Sequence, residues 1–156
     1  MDLGCLISVD RCGFVGADGP THHGVFDIGF LNPLPNVIIC TPSNAKDAKR
    51  FINTYLVNND HPYILRIPRG YIKDEVVKCN ELIPIGKWKI ENNDNYDATI
   101  ICYGQNVNMI RDYFIDKDIK VRLVDALFIK PMDLEMLEQL VDDKPLIIYE
   151  TELKIN

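Results

Sequence analysis

The sequence predicts an α/β protein made of two parallel-sheet units, both incomplete, and three observations predict it. The short continuous apolar run Val37–Cys40 has the look of a strand buried on both faces, and Tyr63–Ile67 and Val121–Val124 read as further strands. Between such runs lie segments of helical length whose apolar residues recur at helical spacing, the alternation expected of parallel sheets. Hydrophobic residues make up 47% and charged residues 26% of the 156 residues, enough apolar material for a real core.

Taken in order, the first strand is Leu3–Val9, read as buried, and it opens into the long loop Asp10–Asp27. Asp27 stands where it would cap a short helix containing Ile28–Leu31. After the strand Val37–Cys40, Ser43 is the expected N-cap of a helix running to about Val57. Its buried stripe is expected to be Ala45, Ala48, Phe51, Ile52, Tyr55 and Leu56. The strand Tyr63–Ile67 is stopped by Pro68-Arg69-Gly70. Residues 71–84 lack periodicity and read as a linker between a unit over 1–70 and a unit over 85–156. In the second unit, Ile85–Ile90 and Ala98–Tyr103 read as strands around the polar loop Glu91–Tyr96. Val107, Ile110 and Phe114 mark a helix, and Val121–Val124 a strand. Leu134, Leu137, Leu140 and Val141 mark a further helix capped by Asp133, and Leu146–Tyr149 is the last strand. A strand beginning almost at Met1, and an ending where another helix is due, lead us to expect that both units are cut short.

Composition excludes several function classes. A net charge of −6 and a pI near 5.0 argue against a nucleic-acid surface, which needs a basic patch. No apolar run approaches the ~20 residues of a membrane span, and no basic flank with an apolar signal segment opens the chain. Cys5, Cys12, Cys40, Cys79 and Cys102 are scattered and form no CxxC, so neither a disulfide framework nor a zinc site is expected. Cys5, Cys40 and Cys102 are expected to be buried thiols. The glycines of GFVGADG match neither GxxxxGK[ST] nor a GxGxxG that opens a helix.

The chemistry concentrates in DRCGFVGADGPTHHGVFD, residues 10–27. In parallel sheets ligands bind outside the carboxyl ends of strands, so Arg11, Asp18 and His22 share a rim with Arg69. Two guanidinium groups on one rim suit a phosphate or carboxylate, although each arginine alone reads more readily as a surface ion pair. His22 or His23 can move protons near neutral pH while the other packs, and these residues leave the choice open. Asp18 can orient a histidine or substrate hydroxyl, or hold a turn before Gly19-Pro20. His61 is expected to face solvent, Trp88 to be core, and Tyr103-Gly104-Gln105-Asn106 to be a turn and helix start.

This loop resembles that of the 1-deoxy-D-xylulose-5-phosphate synthases, thiamine-diphosphate enzymes related to transketolase. The resemblance continues through LNPLPNVIICTPSNAKDAKRF, HPYILRIPRG and ELIPIGKWKI, and VRLVDALFIKPMD is similar to a C-terminal stretch carrying F-x-K-P-x-D. Ordinary transketolases share a DGPTH loop but lack the DR-x-G-x-VG lead-in. The resemblance implies the later part of a pyrimidine-binding domain over 1–70 and most of a C-terminal domain over 85–156. It implies condensation of pyruvate with D-glyceraldehyde 3-phosphate, with thiamine diphosphate and Mg²⁺ as cofactors, in isoprenoid and thiamine synthesis. Carried over by position, Arg11 and Arg69 would hold the aldehyde's phosphate, and Asp18 and His22 would be catalytic; the resemblance chooses His22 over His23. It implies a homodimer in the bacterial cytoplasm or a plastid or apicoplast stroma. The family's G-D-G…N motif and its cofactor-activating glutamate have no counterpart in these residues, and YETELKIN departs from the family's continuation. The polypeptide is therefore expected to be inactive alone and to carry the aldehyde-phosphate subsite. Two further readings are a transketolase proper and a non-catalytic protein that binds a sugar phosphate or a partner.

Overall fold

A computed structural model describes residues 3–70, 78–92, 95–117, 119–141 and 143–151. The chain forms β1 (Cys5–Asp10), α1 (Asp27–Leu31), β2 (Ile38–Cys40), α2 (Ala45–Val57), β3 (Pro62–Ile67) and β4 (Lys89–Ile90). It continues with β5 (Ala98–Cys102), α3 (Gln105–Lys117), β6 (Val121–Asp125), β7 (Phe128–Lys130), α4 (Leu134–Val141) and β8 (Leu146–Ile148). Among the described residues these strands make two four-stranded sheets, ordered β1-β3-β2-β7 and β4-β6-β5-β8.

The α/β class and the parallel core of each sheet match the sequence reading, but each sheet also carries one antiparallel strand. β1 and β2 run parallel to β3, and β5 runs parallel to β6 and β8, whereas β7 pairs antiparallel with β2 and β4 antiparallel with β6. The reason for β7 lies in the connection before it. A parallel neighbour requires a crossover of about a dozen residues, and only Ala126 and Leu127 separate β6 from β7. The chain therefore leaves the second sheet and adds β7 to the first. Phe128 then sits fully buried in the first core, edge-on to Phe51 at 5.1 Å.

Burial corrects three local expectations. β1 is an edge strand with β3 as its hydrogen-bonded neighbour; Ile7 is 47% exposed, and Cys5 is exposed rather than buried. Cys40 and Cys102 are buried as expected, and desolvation pushes both thiols up to about 12. The cap of α2 is Asn44, not Ser43: Asn44 has the extended backbone, and its Oδ1 accepts from the Asp47 N–H at 2.9 Å. The buried face of α2 is Asp47, Phe51 and Thr54, which leaves Ile52 and Leu56 exposed. Asp133 caps α4 as expected, its carboxylate accepting from the N–H groups of Met136 and Trp88. The Trp88 indole donates to the Phe128 carbonyl at 2.9 Å, a core role.

Part of the expected linker is packed. Residues 79–83 run along α2, where the Ile83 N–H donates to Thr54 Oγ1 at 2.8 Å and Asn53 Nδ2 donates to the Cys79 carbonyl at 2.9 Å. Residues 71–77 of that linker lie outside the described residues.

Where the two units meet, the end of β6 buries Asp125 completely. Desolvation, with the like charges of Asp47 and Glu91, pushes its pKa up to about 7 against a hydrogen bond from Ser43 and the charge of Lys89. Folding therefore favours the protonated form. This contribution to stability is fully present below about pH 4, where the unfolded group is also protonated, and is lost as pH rises toward 7. Asp125→Asn is expected to flatten that decline and to be the more stable protein at about pH 8, as read by urea unfolding. An equally steep decline in the variant would show that Asp125 is not its source.

Candidate functional site

The end of β1 sets the site. Arg11 adopts φ +62°, and Gly13 follows at φ +83°, so the chain turns sharply away from the sheet. The loop is closed at its neck by backbone hydrogen bonds, Gly13 N–H to the Gly24 carbonyl and Gly24 N–H to the Arg11 carbonyl, both at 2.9 Å. A Cβ on Gly24 would fall 2.3 Å from the Arg11 carbonyl oxygen, so only glycine allows this approach. Inside the loop, Gly19 leads into one turn of 3-10 helix, Pro20–His22.

Three of the four expected site residues converge. Arg11 Nε lies 3.0 Å from Asp18 Oδ2, and Arg69 Nη2 lies 3.1 Å from Asp18 Oδ1. The Arg11 hydrogen bond holds the Asp18 carboxyl below its ordinary value, opposed by desolvation and helped by the positive charges of Arg69 and Arg11. Both guanidinium groups remain about half exposed, with side-chain exposures of 49% for Arg11 and 47% for Arg69. They keep donors for a further anion. An open cleft of about 470 Å³ is lined by Arg69 with Phe14, Val15, Gly16 and Gly70.

The two histidines differ in environment. His23 Nδ1 accepts from the Val15 N–H at 2.8 Å, and its ring stands edge-on to Phe14 at 5.4 Å, so His23 is built into the loop. His22 is exposed, with Nδ1 3.2 Å from Thr21 Oγ1, and its charge also lowers the Asp18 pKa. His61 is half-buried beside Asp60, at 3.9 Å.

One pair was missed. Asp27 is the first residue of α1 rather than its cap, and its buried carboxylate accepts from Arg66 Nε at 2.8 Å and Nη2 at 3.1 Å. A signal was available: an arginine inside the apolar run Tyr63–Ile67 has to find a carboxylate when that strand is buried. The second unit backs this pair, with the Tyr103 ring 5.9 Å from the Arg66 guanidinium carbon. Among the described residues no group of three or more His, Cys, Asp or Glu side chains could hold a metal ion. The charges at the cleft suit an anion. These residues therefore do not fit a diphosphate–Mg²⁺ site. No helix of the described residues is long and apolar enough to cross a membrane.

Comparison with known proteins gives consistent matches. Residues 1–74 match the model of the transketolase pyrimidine-binding domain, and residues 86–153 match that of the transketolase C-terminal domain. A 1-deoxy-D-xylulose-5-phosphate synthase of Listeria monocytogenes is 36% identical over 97% of this chain and 26% of its own length. One of Lysinibacillus sphaericus is 36% identical over 96% of this chain and 24% of its own. The chain thus spans about a quarter of the length of these relatives. Among solved structures, a split-gene transketolase described as an inactive β4 tetramer superposes with TM-score 0.74 at 21% identity, over 93% of this chain and 47% of that one. A transketolase mutant from Pichia stipitis gives 0.72 at 16% identity, over 95% of this chain and 23% of that one. At these identities the structural likeness speaks for the fold alone.

Proposed function

This chain belongs to the transketolase family, and from that premise we propose that it forms the aldehyde-phosphate side of a 1-deoxy-D-xylulose-5-phosphate synthase. The reaction is the condensation of pyruvate with D-glyceraldehyde 3-phosphate, with loss of CO₂. The observation that carries the reading is the convergence of Arg11 and Arg69, from two strand ends, on the carboxylate of Asp18 beside an open cleft. Guanidinium groups bind phosphate through charge-assisted, often bidentate hydrogen bonds. Asp18 holds the two forks in register while the cleft is open, and the hydrogen bond from Arg11 favours its ionised form. His22, exposed on its 3-10 turn, holds the pyruvoyl carboxylate or carries a proton beside the reacting carbonyl.

Thiamine diphosphate supplies the nucleophilic carbon chemistry of the family; its diphosphate and Mg²⁺ are assigned to parts of the enzyme outside the two matched domains. The complete enzyme is proposed to act as a homodimer in isoprenoid and thiamine synthesis, in a bacterial cytoplasm or a plastid or apicoplast stroma. The 156-residue polypeptide alone is expected to release no CO₂ from pyruvate with thiamine diphosphate and Mg²⁺ added; measurable release would refute this.

The phosphate assignment is tested by calorimetric titration of the chain with D-glyceraldehyde 3-phosphate. Arg69→Ala or Arg11→Ala is expected to weaken binding by about tenfold or more, the weight of a charge-assisted hydrogen bond. Asp18→Asn removes a carboxylate that competes for both guanidinium groups, so inorganic phosphate is expected to bind it more tightly. Affinities unchanged in all three variants would defeat the assignment.

A further inference from the structure

Behind Arg11 and Arg69 a buried charge pair ties together the two backbone segments that carry them. Arg66 lies in β3, three residues before Arg69, and is fully buried. Its Nε and Nη2 donate to the two oxygens of Asp27, which is 5% exposed. Asp27 Oδ2 also lies 3.5 Å from the thiol of Cys12, the residue after Arg11, and the Cys12 N–H donates to the Ile67 carbonyl at 3.2 Å. One carboxylate therefore touches the β3 segment that leads to Arg69 and the loop neck that starts at Arg11.

The second unit closes the arrangement from behind. The Tyr103 ring faces the Arg66 guanidinium at 5.9 Å, and a Cβ on Gly13 would stand 3.3 Å from Gln105 Nε2. A cavity of about 20 Å³ at this junction is lined by Cys12, Thr41, Arg66, Tyr103 and Asn106 among others. Its size and polar walls suit one water molecule.

We propose that Asp27 and Arg66, backed by Tyr103, are positioning residues that set the separation of the Arg11 and Arg69 guanidinium groups to fit one phosphate. The proposal rests on the phosphate reading of those two arginines. Neither Asp27 nor Arg66 touches the ligand. Their bidentate geometry is directional, whereas an apolar pair of similar volume fills the same space without fixing the angle between β3 and the neck. Stability and positioning therefore separate: a buried ion pair can be replaced by well-packed apolar residues with little loss of stability.

The test uses the full chain and two probes, inorganic phosphate and D-glyceraldehyde 3-phosphate, titrated calorimetrically alongside thermal unfolding. The double variant Asp27→Leu/Arg66→Met is expected to unfold within a few degrees of the parent and to bind both probes about tenfold more weakly. Arg66→Lys, which keeps the charge but loses the fork, is expected to weaken binding by a smaller factor, and it serves if the double variant fails to fold. Tyr103→Leu is expected to weaken binding in the same direction. A folded double variant or Arg66→Lys with parental affinity overturns the proposal, provided Arg69→Ala has lost binding. Binding that survives Arg69→Ala, or no binding by the parent chain, overturns the phosphate reading and this proposal together.

Discussion

Asp27→Ala is expected to cost about 3–5 kcal/mol of folding free energy, the usual result of removing one partner from a buried ion pair. The Arg66 side chain is 1% exposed, and the substitution strips it of the carboxylate held by two hydrogen bonds of 2.8 and 3.1 Å. A domain of this size is stable by roughly 5–15 kcal/mol, so the variant sits close to its unfolding transition. Its thermal midpoint is expected to fall by about 10 °C or more. Circular dichroism melts of the two proteins at one pH decide the matter. A shift of only a degree or two would mean that the charge is satisfied elsewhere and that α1 does not depend on β3 for its placement.

Gly24→Ala carries the second large effect, and it acts on the backbone rather than on a charge. The new methyl group would stand 2.3 Å from the Arg11 carbonyl oxygen and 2.9 Å from the Cys12 Cα, both main-chain atoms that cannot swing aside. The neck has to open, and the hydrogen bonds joining Gly13, Gly24 and Arg11 lengthen or break. Overpacking of this kind costs about 1–3 kcal/mol where side chains can adjust, and main-chain contacts place this case at the upper end. Arg11 begins the neck, so phosphate affinity is expected to fall with stability, by about tenfold. Hydrogen exchange at the Gly13 and Gly24 amides, compared with titration of phosphate, checks both parts. Amides as protected as in the parent would show that the neck tolerates a side chain.

Much of the site was legible because parallel strands put their carboxyl ends on one rim. That rule alone grouped Arg11 and Asp18 with Arg69 across more than fifty residues of sequence, and the ion pairs at 3.0 and 3.1 Å bear out the grouping. The different surroundings of the adjacent histidines were not legible from the residues, because they turn on one hydrogen bond, from the Val15 N–H to His23. Asp27 was read as a helix cap because local spacing fits that role, and its partner lies 39 residues away. The cap of α2 slipped by one residue because Ser43 and Asn44 have nearly equal capping chemistry and only backbone geometry separates them. The apolar run of β1 looks like a buried strand because nothing in its residues marks a sheet edge. β7 escaped altogether: three residues carry no periodicity, and their partner strand, β2, lies far back in the sequence.

That stray strand changes what counts as a part of this molecule. The first sheet takes its last strand from residues 128–130, beyond the second sheet's own β4, β5 and β6. Phe128 stands edge-on to Phe51 in the first core. Dividing the polypeptide between the units would leave the N-terminal piece with an open edge at β2 and a hole where an aromatic ring belongs. The second half thus lends a strand to the first, so the sequence midpoint is no seam, and separated pieces are expected to regain their shape only when mixed.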